Sequence, residues 1–156
     1  MFSPAGVDEM SKREALTATV TGNDEQVGFR ALVMKQAIRY NLAGSALNQP
    51  DDVVRFTLQG KKKRINSALK TIKQGNAKTS GIKIATSPAA FDPSLNNFTI
   101  FDWNSASRNI TTPYTLVFHL RANDEKISQA KAAAAWHQML LRALDPADLK
   151  KLQSND

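Results

Sequence analysis

Cysteine is absent from the 156-residue sequence, which removes disulfide scaffolds, thiolate zinc sites and thiol nucleophiles together. Histidine is nearly as scarce. His119 and His137 are the only two, neither falls in a metal-ligand or paired-carboxylate motif, and packing or surface roles are the commoner fate of such residues. No apolar run approaches the roughly 20 residues of a membrane span. The opening MFSPAGVDEMSKRE lacks the apolar stretch of a secretory signal, so the expectation is a cytoplasmic chain with no membrane partner. There is no Gly-x-Ser-x-Gly elbow for a serine hydrolase. Gly60-Lys-Lys-Lys lacks the spaced glycines of a P-loop, and no aromatic strand of the RNA-recognition type occurs. What is present suits one domain of ordinary size, or a small domain with an elaborated tail: 42% hydrophobic residues, 22% charged, and no low-complexity tract.

Acidic residues are also missing locally. The net charge is +7, a value that raises nucleic acid or an anionic ligand as a partner. Residues 61 to 90 carry eight basic and no acidic groups, while the flanking segments are close to neutral. Lys61-Lys-Lys-Arg64 opens a helical pattern, where cations oppose the macrodipole. A solvated basic face and a site for an acidic partner or nucleic acid both fit that placement.

Residues 1 to 13 have no periodicity and are expected to be a mobile lead-in. Leu16, Ala18 and Val20 alternate with threonines as a half-buried strand ending at Gly22. Val33, Met34, Ala37, Ile38 and Leu42 recur at helical spacing and predict a helix from Phe29 that stops near Gly44. Ser45 to Asn48, the turn Gln49-Pro-Asp-Asp52, and Val54, Phe56 and Leu58 form a hairpin pattern. Ile65, Leu69 and Ile72 mark a second helix, closed by Gly75, and Gly81 to Ala85 a further strand. The order β-α-β-β-α-β predicts an α+β fold, a ferredoxin-like split β-α-β sandwich with two helices on one face of an antiparallel sheet. Beyond it lie a loop from Ser87 to Asn97, a strand over Phe98 to Trp103, and an alternating run from Tyr114 to Leu120 that can pair with it. A helix follows, capped by Asn123 or Asp124 and ended by Asp145-Pro146, with a last turn to Leu152. Trp103, Trp136 and Phe101 are expected in the core or between tail and sheet.

The segment Gly22-Asn-Asp-Glu-Gln-Val-Gly-Phe-Arg30 joins a strand to a helix. It offers unpaired N–H groups at a helix N-terminus with an arginine on the first turn, which is a phosphate cradle. Gly28 lets backbone approach an anion, and Arg30 can fork two phosphate oxygens. A surface loop whose arginine pairs with Asp24 or Glu25 uses the same residues equally well.

Val27-Gly28-Phe29-Arg30, Gly22 at the end of the first strand, and Gly44-Ser-Ala-Leu-Asn48 eighteen positions after the arginine resemble the signature of the acylphosphatases. Val54 to Gly60 is similar to that family's third strand. The resemblance spans residues 14 to 103, which leaves residues 104 to 156 as a C-terminal extension of strand and helix packed on the domain. It implies a hydrolase that cleaves the carboxylic-phosphoric anhydride of a small acyl phosphate and releases inorganic phosphate, with no metal or cofactor. Carried over by position, Arg30 and Asn48 are catalytic. Glu25, Gln26, Val27, Gly28, Phe29 and Arg30 bind the phosphate, and Asn48 orients the attacking water. Where the family reads Val-Gln-Gly, this chain has Asp24-Glu25-Gln26. A like charge about 8 Å from a phosphate oxygen costs on the order of 2 kcal/mol at an effective dielectric near 20, which weakens binding without forbidding it. Two other readings use other parts of the chain: a non-catalytic module binding nucleic acid or an acidic protein through the basic 61–83 segment, and an interaction protein using the C-terminal hairpin and helix.

Overall fold

The computed structural model describes residues 12–22, 28–74, 82–105 and 108–153. The threonine-spaced apolar run forms β1 (Arg13–Thr21), and the helical spacing after Gly28 forms α1 (Phe29–Tyr40). Next come β2 (Ala43–Gln49), β3 (Val53–Lys61), α2 (Lys62–Gln74) and β4 (Lys83–Ala89), the β-α-β-β-α-β order expected from the sequence. Four further elements follow: β5 (Asn97–Ser105), β6 (Ile110–His119), α3 (Gln129–Ala143) and α4 (Pro146–Gln153).

The described strands form one sheet in the order β4-β1-β3-β2-β5-β6. β1 and β2 each pair antiparallel with β3 and so run parallel to one another, which is the split β-α-β arrangement. β5 joins β2 in parallel, and β6 returns antiparallel along β5. The outer strands β4 and β6 each contain a proline, Pro88 and Pro113, which is tolerated at an edge because one N–H fewer is needed there.

Cross-strand partners share a face. One row therefore runs Ala18, Phe56, Ala46, Ile100, Leu116 through five strands, and none of the five is more than 1% exposed. Over this face lie the buried stripes of α1 (Val33, Met34, Ala37, Ile38), α2 (Ile65, Ala68, Ile72) and α3 (Ala132, Trp136, Met139, Leu140), all in one hydrophobic cluster. Full burial of a side chain the size of Phe56 or Leu58 stabilises by roughly 1.5–3 kcal/mol. The sheet-to-helix interface is thus the main source of stability. In the adjacent row Gly44 sits opposite Leu58 and Phe98. With φ at +146°, a Cβ there would stand 1.9 Å from the Thr57 carbonyl oxygen, so only glycine fits.

Several boundaries differ from the sequence-based expectation. α1 ends at Tyr40 because Asn41 takes the left-handed conformation (φ 57°) and its N–H bonds Ala37 O; Gly44 is already strand. Gly75 lies outside the described residues. β4 continues through Ser87, Pro88 and Ala89 along β1 where a loop was expected. Phe101 is 44% exposed and does not join Trp103 and Trp136 in the core. The long C-terminal helix starts at Gln129, capped by Ser128, whose hydroxyl accepts from the Lys131 N–H. Asn123 and Asp124 instead make a separate turn, with Glu125 N–H bonded to Asn123 Oδ1 and Asp124 at φ 54°. The Asp124 carboxylate is engaged by Arg13, Lys61 and Arg64 at 3.0–3.2 Å and by the Asn41 amide. Lys61 and Arg64 are therefore held by a carboxylate from a distant stretch of chain, which offsets the unfavourable place of the basic run at a helix start.

Candidate active site

β1 delivers the chain to Gly22 at one end of the sheet, and α1 departs from Gly28 at that same end. Gly28 is the N-cap at φ 82°, ψ −4°, a left-handed conformation that glycine adopts without a Cβ penalty. Among the described residues, a Cβ at this position would meet nothing within 4 Å. The first intrahelical bond is Leu32 N–H to Gly28 O. The N–H groups of Phe29, Arg30 and Ala31 consequently have no helical acceptor, and no acidic side chain occupies the first turn.

Arg30 is 7% exposed. Its Nη1 donates to the carbonyls of Phe101 at 2.9 Å and Asp102 at 3.0 Å. Two consecutive carbonyls converge on one nitrogen because β5 slips register between Ile100 and Trp103, with Asp102 at φ 55°; a bulge re-aims the backbone in this way. Burial pulls the Arg30 pKa below its ordinary value, and the Asp102 charge opposes that shift. An arginine starts so high that it stays protonated at neutral pH.

Asn48 lies on β2 opposite Val54, which is also the partner of Val20. The row Val20, Val54, Asn48 thus sets Asn48 about 10 Å across the sheet from β1, two strand spacings, and two residues short of the level of Gly22. It shares its face with Ala46 and so looks toward the helix-covered side. Unlike Ala46 it is exposed, being at the rim. Ala46 pairs with Ile100 on β5, and one step beyond that pair begins the bulge that seats Arg30.

The acylphosphatase family model matches residues 16–100, more than half of the sequence. The chain belongs to the acylphosphatase family. It is similar to the acylphosphatase of Thermus thermophilus, with 38% identity over 60 residues, 38% of this chain and 68% of the relative. It is 31% identical over 81 residues to that of Chlorobaculum tepidum, covering 52% and 88% of the two chains. Among solved structures, the acylphosphatase of Bacillus subtilis superposes with a TM-score of 0.50 at 25% identity, covering 55% of this chain and 96% of that one.

Within the acylphosphatase match, Arg30, Gly28, Phe29 and Asn48 all fall at one end of the sheet. Phe29 is buried, its ring 6.3 Å from Phe56, so its backbone N–H is what it can offer an anion. Glu25, Gln26 and Val27 lie outside the described residues, as does Asp24. The Lys61–Arg64 run sits at the opposite end, since Lys61 pairs with Arg13 at the start of β1. Sequence reasoning missed the seat of Arg30 on the β5 bulge. Its trace was a change of phase, from buried even positions Phe98 and Ile100 to the buried odd position Trp103. Among the described residues no group of three His, Asp or Glu side chains is placed to hold a metal, and no helix is long and apolar enough to cross a membrane.

Proposed function

We propose that this chain is an acyl phosphate hydrolase in which the N–H groups of the 24–30 loop and the Arg30 guanidinium hold the phosphoryl group and Asn48 orients the attacking water. Water oxygen bonds to phosphorus, the bond from phosphorus to the acyl oxygen breaks, and the carboxylate leaves with the electron pair. The water's proton passes to solvent, and the products are a carboxylate and inorganic phosphate. A carboxylate is a good leaving group and the phosphoryl transition state is loose, so charge stabilisation and positioning suffice without a strong protein base. The observation that carries this reading is the anchoring of Arg30. Two backbone carbonyls fix its guanidinium beside the open N-terminus of α1, at the rim where the sheet register sets Asn48. A preorganised cation there loses little freedom when an anion binds. The fold holds no cysteine and asks for no redox partner, which suits the cytoplasm.

Hydrolysis of acetyl phosphate tests this. Arg30→Ala and Asn48→Ala are each expected to lower kcat/KM by about 10²–10³-fold, the usual effect of removing one charge-stabilising donor. Wild-type turnover equal to that of both variants would remove the catalytic assignment. The alternative, a non-catalytic module that binds polyanions through the basic 61–83 segment, predicts salt-sensitive binding indifferent to Arg30. The pairing of Lys61 and Arg64 with Asp124 reduces the charge free for that role.

A further inference from the structure

The C-terminal stretch does more than cover α1. Beside Gly28 opens a cavity of about 290 Å³ whose walls include Trp103, Arg108, Trp136, Leu140 and Leu152. Among the described lining residues, only Gly28 and its neighbour Ala31 come from the part of the chain that matches the family model; the others follow residue 100. Trp103 and Trp136 meet edge to face with centroids 6.3 Å apart. Arg108 donates from Nη1 to the Leu152 carbonyl, which ties the β5–β6 connection to α4 and closes one wall. Known small-molecule sites span roughly 300–1,000 Å³, so this volume suits a single ring and is too small for a nucleotide or a folded peptide.

The cavity adjoins the site described above at two points. Gly28 belongs to both, and among the described residues nothing lies within 4 Å of a Cβ built on it. Trp103 follows directly on the Phe101–Asp102 carbonyls that hold Arg30. A phosphoryl group held at Arg30 would leave its acyl group at the mouth of an aromatic and aliphatic pocket. The geometry points to this tail-built cavity as the acyl subsite, selecting acyl phosphates that carry an aromatic ring over those with a small acyl group. The inference rests on the hydrolase reading and adds the substrate class to it. Such a ring would leave water against two indoles and two leucines.

The test compares acetyl phosphate with phenylacetyl phosphate, and follows intrinsic fluorescence during titration with phenylacetate. Both tryptophans of the sequence line the cavity, so fluorescence reports occupancy whether or not turnover occurs. A KM about tenfold lower for phenylacetyl phosphate is expected, the factor that part of a phenyl group's burial supplies, together with a saturable fluorescence change on adding phenylacetate. Leu152→Phe fills the cavity from a partly exposed position. It should raise KM for phenylacetyl phosphate about tenfold and leave kcat/KM for acetyl phosphate within about twofold. Equal KM values for the two substrates with no fluorescence response would overturn the subsite while leaving the hydrolase reading in place. Turnover of neither substrate would remove the hydrolase reading and, with it, the acyl subsite.

Discussion

At the scale of single residues, the proposed chemistry rests on positions whose backbone is forced. Arg30 was legible in the sequence because a glycine and an arginine at the start of a helical pattern have a direct electrostatic meaning. Its partners were not, because they are backbone carbonyls brought together by a bulge some seventy residues later, and a carbonyl has no letter in a sequence. Gly44 was misread for a similar reason. Its place after an apolar helical stripe suggested a helix stop, whereas Asn41 adopts the left-handed conformation first and Gly44 is required by the close approach of Thr57. Gly44→Ala is expected to destabilise the fold by about 3 kcal/mol or more, since neither the rigid strand backbone nor the positive φ can yield cheaply. Urea denaturation measures this, and a loss under about 1 kcal/mol would mean that β2 and β3 can separate locally without consequence.

Between elements, Asp124 is the junction. It ties the turn before α3 to β1 through Arg13, to the end of β3 through Lys61, to α2 through Arg64 and to the C-cap of α1 through Asn41. Partial burial alone would raise its pKa; hydrogen bonds from Asn41 and Lys61, with the charges of Arg64 and Lys61, outweigh this and hold it at about 2. An unfolded carboxyl titrates near 4. The folded value is the lower one, so the carboxylate's contribution is complete above about pH 4 and disappears as the pH falls through about 2. Because about a third of the side chain meets solvent, that contribution is about 1 kcal/mol. Asn accepts the same left-handed backbone, which makes Asp124→Asn a clean test. Its urea midpoint should fall below the parent's near pH 7 and approach it near pH 2. A gap of equal size at both pH values would show that the charge is not what stabilises. The sequence suggested Asp124 as a helix cap since acid before an alanine-rich run normally is one; three cations drawn from distant segments overrode that local preference.

Across the whole molecule, the row Ala18, Phe56, Ala46, Ile100, Leu116 passes from the first strand to the sixth without a break. The first ninety or so residues were readable from alternation and helical spacing because each element there has a clear period. The antiparallel pairing of β5 with β6 was legible in the same way, but the place of that hairpin beside β2 was not, since the pairing of β5 with β2 is parallel and non-local and leaves no local signature. The contact of Trp103 on β5 with Trp136 on α3 predicts that the two halves unfold together. Single-tryptophan variants, Trp103→Phe and Trp136→Phe, should give coincident urea transitions that also match far-UV circular dichroism. An earlier transition reported by Trp136 alone would mean that the C-terminal helices detach first. Both flanks of the sheet, β4 and β6, are interrupted by proline. A second copy approaching either flank meets a gap in the ladder of donors, and open sheet edges are where folded proteins begin to polymerise. Two pyrrolidine rings thus guard the molecule against growing into a fibre, a protection that needs no charge.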